Sequence, residues 1–201
     1  MTHSAETLFS SIVAEHEAAI AALRDGPTPE AVARAGELLL ETLQSGGTVL
    51  VCGNGGSAAD AQHFAAELSG RFERKDRPAL PAVALTVDTS ALTSISNDFG
   101  FEQVFARQLA GLARKGDALV GITTSGRSPN VLAAMEKARA LGMRTVALTG
   151  EDASAVAPFA DVAVAVPHRV TARIQEAHIL IVHTWCALID RAFSPGGRDG
   201  A

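Results

Sequence analysis

An α/β fold, a parallel sheet of five strands with helices on both faces, is what this sequence predicts, and three observations predict it. Short, continuous apolar runs rich in β-branched residues recur along the chain, among them Thr48-Val49-Leu50-Val51 and Ala118-Leu119-Val120-Gly121-Ile122. Continuous rather than alternating hydrophobicity marks a strand covered on both faces. Segments of helical periodicity separate these runs, so parallel strands are joined by helical crossovers. Two of the runs end in turns rich in Gly and hydroxyl residues, Cys52-Gly53-Asn54-Gly55-Gly56-Ser57 and Thr123-Thr124-Ser125-Gly126-Arg127-Ser128. Ligands of such sheets bind beyond the carboxyl ends of the strands.

The elements follow in order. Leu8, Ile12, Val13, Ala19, Ile20 and Leu23 recur at helical spacing and predict a first helix from about 5 to 23, closed by Asp25-Gly26-Pro27. Thr28 as N-cap with Pro29 behind it opens a second helix, which Gly46-Gly47 ends. Then come a strand at 48–52, a helix at about 57–69, a strand at about 82–87, helical segments near 89–96 and 101–113, and a strand at 117–122. A helix at about 129–141, strands at 144–149 and about 161–166, and a helix at about 172–193 complete the series. Residues 1–193 thus read as one domain that includes two N-terminal helices (about 5–45), and 194–201, full of turn formers, as a flexible tail. The charged stretch Arg71–Pro78 reads as a solvated loop.

Composition excludes several classes. With 47% apolar and 19% charged residues the chain is an ordinary globular protein. A net charge of −5 argues against direct nucleic-acid binding. No apolar stretch approaches a membrane span, and Met1–Glu6 lacks the charged and apolar regions of a signal peptide. Two cysteines far apart, Cys52 and Cys186, suit buried, reduced thiols and hence the cytoplasm.

The two turns are the anion-binding candidates. Backbone N–H groups at a helix N-terminus favour negative charge, and the hydroxyls of Ser57, Thr123, Thr124, Ser125 and Ser128 suit a terminal phosphate without a dedicated lysine. On the helix that follows the first of them, His63 and Glu67 share a face at i and i+4. They can share a metal ion or a substrate hydroxyl, or form a surface hydrogen-bonded pair. The last helix carries Gln175, Glu176, His178 and His183 in an apolar setting, where polar groups need partners. Glu176 and His183 share a face, whereas Gln175 and His183 are offset by roughly 80°, so spacing does not choose between Gln175 and Glu176, and core histidines satisfied by a neighbouring helix are the plainer reading. Gly53-x-Gly55-x-x-Ala58, with Asp88 as a ribose ligand, loosely matches a dinucleotide fingerprint, but the hydroxyl-rich second turn argues for a phosphate monoester.

Taken together, Cys-Gly-Asn-Gly-Gly-Ser at 52–57, His63/Glu67 with Arg71, Asn97-Asp98-Phe99-Gly100, Thr124-Ser125-Gly126-x-Ser128-x-Asn130 and Arg173-Ile174-Gln175-Glu176-x-His178 followed by His183 resemble the sugar isomerase (SIS) domain family and, more narrowly, its phosphoheptose isomerases. The resemblance implies a three-layer α/β/α sandwich, a homotetramer with active sites at subunit interfaces, and aldose–ketose isomerisation of sedoheptulose 7-phosphate to D-glycero-D-manno-heptose 7-phosphate through an enediol. It implies Glu67 as base and His183 as the complementary acid. Asn54, Gly55, Gly56, Ser57, Glu67, Arg71, Asn97, Asp98, Thr123, Thr124, Ser125, Ser128 and Gln175 would bind substrate, and one zinc ion per subunit would sit among His63, Glu67, Gln175 and His183. Two positions depart from the pattern: Arg127, where Asn or Lys is common, would add a cation near the phosphate, and Ala172 stands where some members carry Asp. Initiator-associating relatives of the same fold share the pattern His168-Arg169-x-x-Ala172-Arg173-Ile174-Gln175-Glu176-x-His178, so binding of a DnaA-type replication initiator is the alternative, although those relatives typically lack the residues matching Glu67 and His183.

Overall fold

The computed structural model describes residues 4–194; the tail at 195–201 lies outside the described residues. Helices α1 (Ala5–Ala22) and α2 (Thr28–Gln44) precede an alternating series: β1 (Val49–Gly53), α3 (Gly56–Ser69), β2 (Ala82–Ala84), α4 (Thr89–Phe99), α5 (Val104–Leu112), β3 (Ala118–Thr123), α6 (Pro129–Ala140), β4 (Arg144–Thr149), β5 (Val162–Ala165) and α7 (Thr171–Phe193). All five strands pair in parallel in the order β2-β1-β3-β4-β5. The order reverses between β1 and β3, and a crevice opens where the connections of neighbouring strands leave in opposite directions.

Side-chain alternation along each strand builds two cores, one per face. Val49 and Val51 of β1 join Val120, Ile122, Val146 and Leu148 against α2, α3 and α7, in a cluster that includes Leu39, Phe64, Ile181 and Trp185. Leu50 and Cys52 point the other way, with Leu119 and Ala147, against Val104, Phe105 and Leu109 of α5 and Val131 and Met135 of α6. The three-layer sandwich is therefore α2/α3/α7, sheet, α4/α5/α6.

Local differences from the sequence reading have identifiable causes. Thr28 is not an N-cap: its hydroxyl donates to the Ala165 carbonyl (3.1 Å), and Pro27 precedes the helix without a side-chain cap. The strand expected at 82–87 stops at Ala84, because β2 is an edge strand paired only with β1 over three residues. The loop at 71–78 is not simply solvated. Arg77 is buried and paired with Asp190 of α7, and its guanidinium also donates to the carbonyls of Glu67, Leu68 (2.9 Å) and Pro78 (2.8 Å). It thereby satisfies orphan acceptors of the last turn of α3. Cys52 and Cys186 are free and buried, and burial pushes both thiols up to about 12.

Candidate functional site

Both hydroxyl-rich turns leave the sheet side by side, since Gly53 of β1 is in register with Ile122 of β3. The first turn enters α3 through Gly55 at φ +56°, a left-handed conformation that side chains disfavour, and no side chain caps the helix. Ser128 opens α6 equally without a side-chain cap. Two helix N-termini thus converge at the switch point, α3 with the N–H groups of Gly56 and Ser57 and α6, which starts at Pro129 and so lacks one donor, with that of Asn130, a candidate anion cradle. Ser57 and Thr123 are buried within it; the Thr123 hydroxyl lies 2.9 Å from that of Ser128 and 3.4 Å from that of Ser125, which accepts the Arg127 amide (3.2 Å).

Asn54 and Asn130 lock the two turns together. Each side-chain amide donates to the other's carbonyl oxygen at 2.8 Å, and Asn130 is almost wholly buried. Sequence reasoning found Asn130 only as a letter in a motif; nothing in spacing tells that two asparagines 76 residues apart form a reciprocal pair.

Thr124 and Ser125 also line a cavity of about 290 Å³ with Arg127, Asp152, His168 and Arg169. The expected cation near the phosphate is not free: Arg127 is ion-paired with Asp152 at 2.5 Å and its side chain points outward. Hydrogen bonds from Ser154 and Arg127 hold the Asp152 carboxyl down at about 2.

Helices α3 and α7 form the other wall. His63 and His183 bring their Nε2 atoms to 2.9 Å, so one ring donates to the other, and Glu67 Oε1 stands 3.6 Å from His63 Nε2. Phe72 packs on the His183 ring. The polar residues of α7 divide by what lies opposite each turn, which a helical wheel cannot show. Gln175 faces α3 and lies directly on Gly56, where a Cβ would collide with its carboxamide. Glu176 faces α1 instead, 2.7 Å from His16 Nδ1. His178 is a core histidine whose Nε2 lies 3.0 Å from the Thr149 carbonyl; burial holds it down at about 4, against the opposing hydrogen bond, so it is neutral.

The remaining candidates stand apart from this seam. Asn97 and Asp98 are exposed at the end of α4 and hydrogen-bond each other at 2.8 Å, while Arg71 reaches only the Phe72 carbonyl (3.2 Å). Asp88, the ribose candidate, is spent as the N-cap of α4, accepting the Ala91 amide at 2.9 Å.

Among the described residues no group of three or more His, Cys, Asp and Glu side chains is spaced to hold a metal ion. Of the four expected ligands, His63, His183 and Glu67 stand together, while the Gln175 carboxamide lies on Gly56 at the start of α3; two imidazoles with a carboxylate are donors that zinc takes. Their ring nitrogens are about half an ångström closer than two nitrogens bound tetrahedrally to one zinc, a gap that a small opening of the seam supplies. The donor types fit the ion.

The comparisons with known proteins agree with this geometry. The family model described as SIS domain matches residues 4–150. A phosphoheptose isomerase of Campylobacter jejuni is 57% identical over 162 residues, 81% of this chain and 87% of its own. The solved structure of the Neisseria gonorrhoeae phosphoheptose isomerase superposes with a TM-score of 0.86 at 46% identity, covering 93% of this chain and 99% of that one. That of Francisella tularensis reaches 0.89 at 40% identity, covering 94% and 100%. Nothing found supports an initiator-binding role. With its reversed sheet order, paired hydroxyl-rich turns and these relatives, the chain belongs to the SIS domain family, in its phosphoheptose isomerase branch.

Proposed function

We propose that this chain is an aldose–ketose isomerase that converts sedoheptulose 7-phosphate to D-glycero-D-manno-heptose 7-phosphate, feeding a bacterial envelope glycan. One observation carries the reading: a single seam holds an anion cradle at the start of α3 and the His63, Glu67 and His183 cluster further along it. Ser57 and Glu67 are ten residues apart, about 15 Å along a helix, which leaves room for a sugar chain between its phosphate and its reacting carbonyl. The names of the relatives point the same way.

In this mechanism the N–H groups and the hydroxyls of Ser57, Thr123, Thr124, Ser125 and Ser128 hold the phosphate. Asn54, Gly55, Gly56 and Gln175 line the path of the sugar, and Arg71, Asn97 and Asp98, apart from the seam in the lone chain, would complete the pocket in the assembled tetramer. A proton must leave one of the carbons C1 and C2 and return to the other through an enediol, while a second proton moves between their oxygens. Glu67 takes the carbon-bound proton and His183 serves the oxygens. His63, Glu67, Gln175 and His183 would hold a zinc ion, one per subunit, which when bound polarises the substrate oxygens and stabilises the negative charge of the enediolate.

A homotetramer with interface sites is part of the proposal. Its support is the exposure of apolar side chains in the lone chain: Phe99 and Phe101 follow the Asn97–Asp98 pair, and Leu8 and Phe9 lie on α1. A cytoplasmic location fits the two free thiols. No helix among the described residues is long and apolar enough to cross a membrane.

The test is proton NMR of sedoheptulose 7-phosphate incubated with the purified protein and with Glu67→Gln. An aldoheptose phosphate should appear with the native chain, and its rate should fall at least about a hundredfold in the variant, the contribution of general acid–base catalysis. An unchanged spectrum from folded, zinc-replete protein would remove the isomerase reading; equal rates would remove Glu67 as the base.

A further inference from the structure

Gln175 sits in a turn of α7 that is tied to the N-terminal helix. Helix α1 buries only Ala19, so polar ties matter to its seat on α7. Arg173, 6% exposed, is at their centre: Nη1 donates to the Ile12 carbonyl (2.9 Å) and Nη2 to Glu176 Oε1 (2.6 Å), while Glu176 Oε2 lies 2.7 Å from His16 Nδ1. Glu15 stands 3.9 Å from the same guanidinium. No side chain caps the start of α7; its first turn is held on one side by Ile174, buried in the core, and on the other by this network. Gln175 lies between Arg173 and Glu176 and leans the other way, onto Gly56.

We propose that Arg173 is a positioning residue for the site: by tying Ile12 of α1 to Glu176 of α7 it sets the angle from which Gln175 reaches across the start of α3. The inference rests on the reading of Gln175 as part of the isomerase site. A helix is stiff, so loss of the tie on this side shifts Gln175 and Glu176 together about the buried Ile174. Reacting groups displaced by an ångström lose a large part of their rate advantage.

Arg173→Lys and His16→Ala test this. Lysine keeps the charge, but its single ammonium cannot reproduce the fork that spans Ile12 and Glu176. His16 is on the surface, its side chain 43% exposed, so its removal leaves no cavity. In Arg173→Lys kcat should fall about tenfold to a hundredfold, the range for residues that orient a ligating group, with KM changed less; His16→Ala should change in the same direction by less. The Gln175 side-chain amide resonance, assigned by its loss in Gln175→Glu, should shift in both variants without substrate. A lowered Tm with native kcat, or an unmoved Gln175 resonance, would reduce Arg173 to a packing tie and overturn the inference. If the native protein has no isomerase activity, the functional reading fails and the resonance alone decides this one. If Arg173→Lys does not fold, His16→Ala carries the same comparison.

Discussion

His63 and His183, 120 residues apart, meet through their Nε2 atoms at 2.9 Å. Two imidazoles at that distance share one proton between facing lone pairs, and Glu67 stands beside them. A dication in place of that proton would be held by three donors of suitable type. Exhaustive chelation should therefore abolish isomerisation, and added zinc should restore it, with one equivalent per subunit by elemental analysis. In His63→Ala the restored activity should require a higher zinc concentration, because one donor is lost. Full activity in chelated, metal-free protein would confine the cluster to proton transfer.

The Asn54–Asn130 pair predicts a separation between binding and chemistry. Asn130→Ala leaves the Asn54 amide unpaired in a largely buried setting, at a cost of about 1–3 kcal/mol in stability. It also frees the two turns from each other, so KM for the phosphosugar should rise while kcat changes less. Steady-state kinetics with urea unfolding of the same variant checks both; a fall in kcat at constant KM would place Asn130 in the chemistry instead.

The particular residues show what the sequence made legible. Strand positions, the two turns and the crossover helices were readable because burial on both faces leaves an unbroken apolar signature, as in Val49–Cys52 and Leu119–Ile122. Sheet order was not, since nothing local in Ala118–Thr123 says that β3 pairs with β1. Within the site, His63 and Glu67 were found by helical spacing. The division of Gln175 from Glu176 was not, because it depends on which helix packs against each side of α7. Arg77 was missed for a related reason: a charged loop looks solvated until its partner, Asp190, is seen 113 residues away.

That Arg77–Asp190 pair carries its own prediction. Burial pushes the Asp190 carboxyl up, but hydrogen bonds from Arg77 and from the Arg74 and Glu73 amides, with the charge of Arg77, outweigh it and leave the carboxyl below the usual range. Its contribution to stability is complete above the ordinary value of 3.8 and is lost as pH falls from there through the depressed one. Asp190→Asn should cost about 3–5 kcal/mol near neutral pH, the penalty for leaving one buried charge alone, and the difference from the native protein should shrink in acid. Because Arg77 also caps the turn that carries Glu67, the folded variant should lose activity as well. A loss of stability that does not change between pH 6 and pH 3 would count against the pair as its source.

His178 predicts acid sensitivity in a higher range. Its ring is buried and neutral, with a value near 4 in the fold against an ordinary 6.5. The native state therefore binds fewer protons than the unfolded chain between those two values, and stability falls as pH drops through 6.5 and stops falling from this cause below 4. Between pH 7 and pH 5 the loss from this one group is about 2 kcal/mol. His178→Gln can keep a donor to the Thr149 carbonyl but has no proton to gain. Its urea-unfolding free energy should accordingly lose about 2 kcal/mol less than that of the native protein over the same interval, at equal protein concentration. Identical losses in the two proteins would mean that the ring at 178 is already protonated or reached by water in the fold.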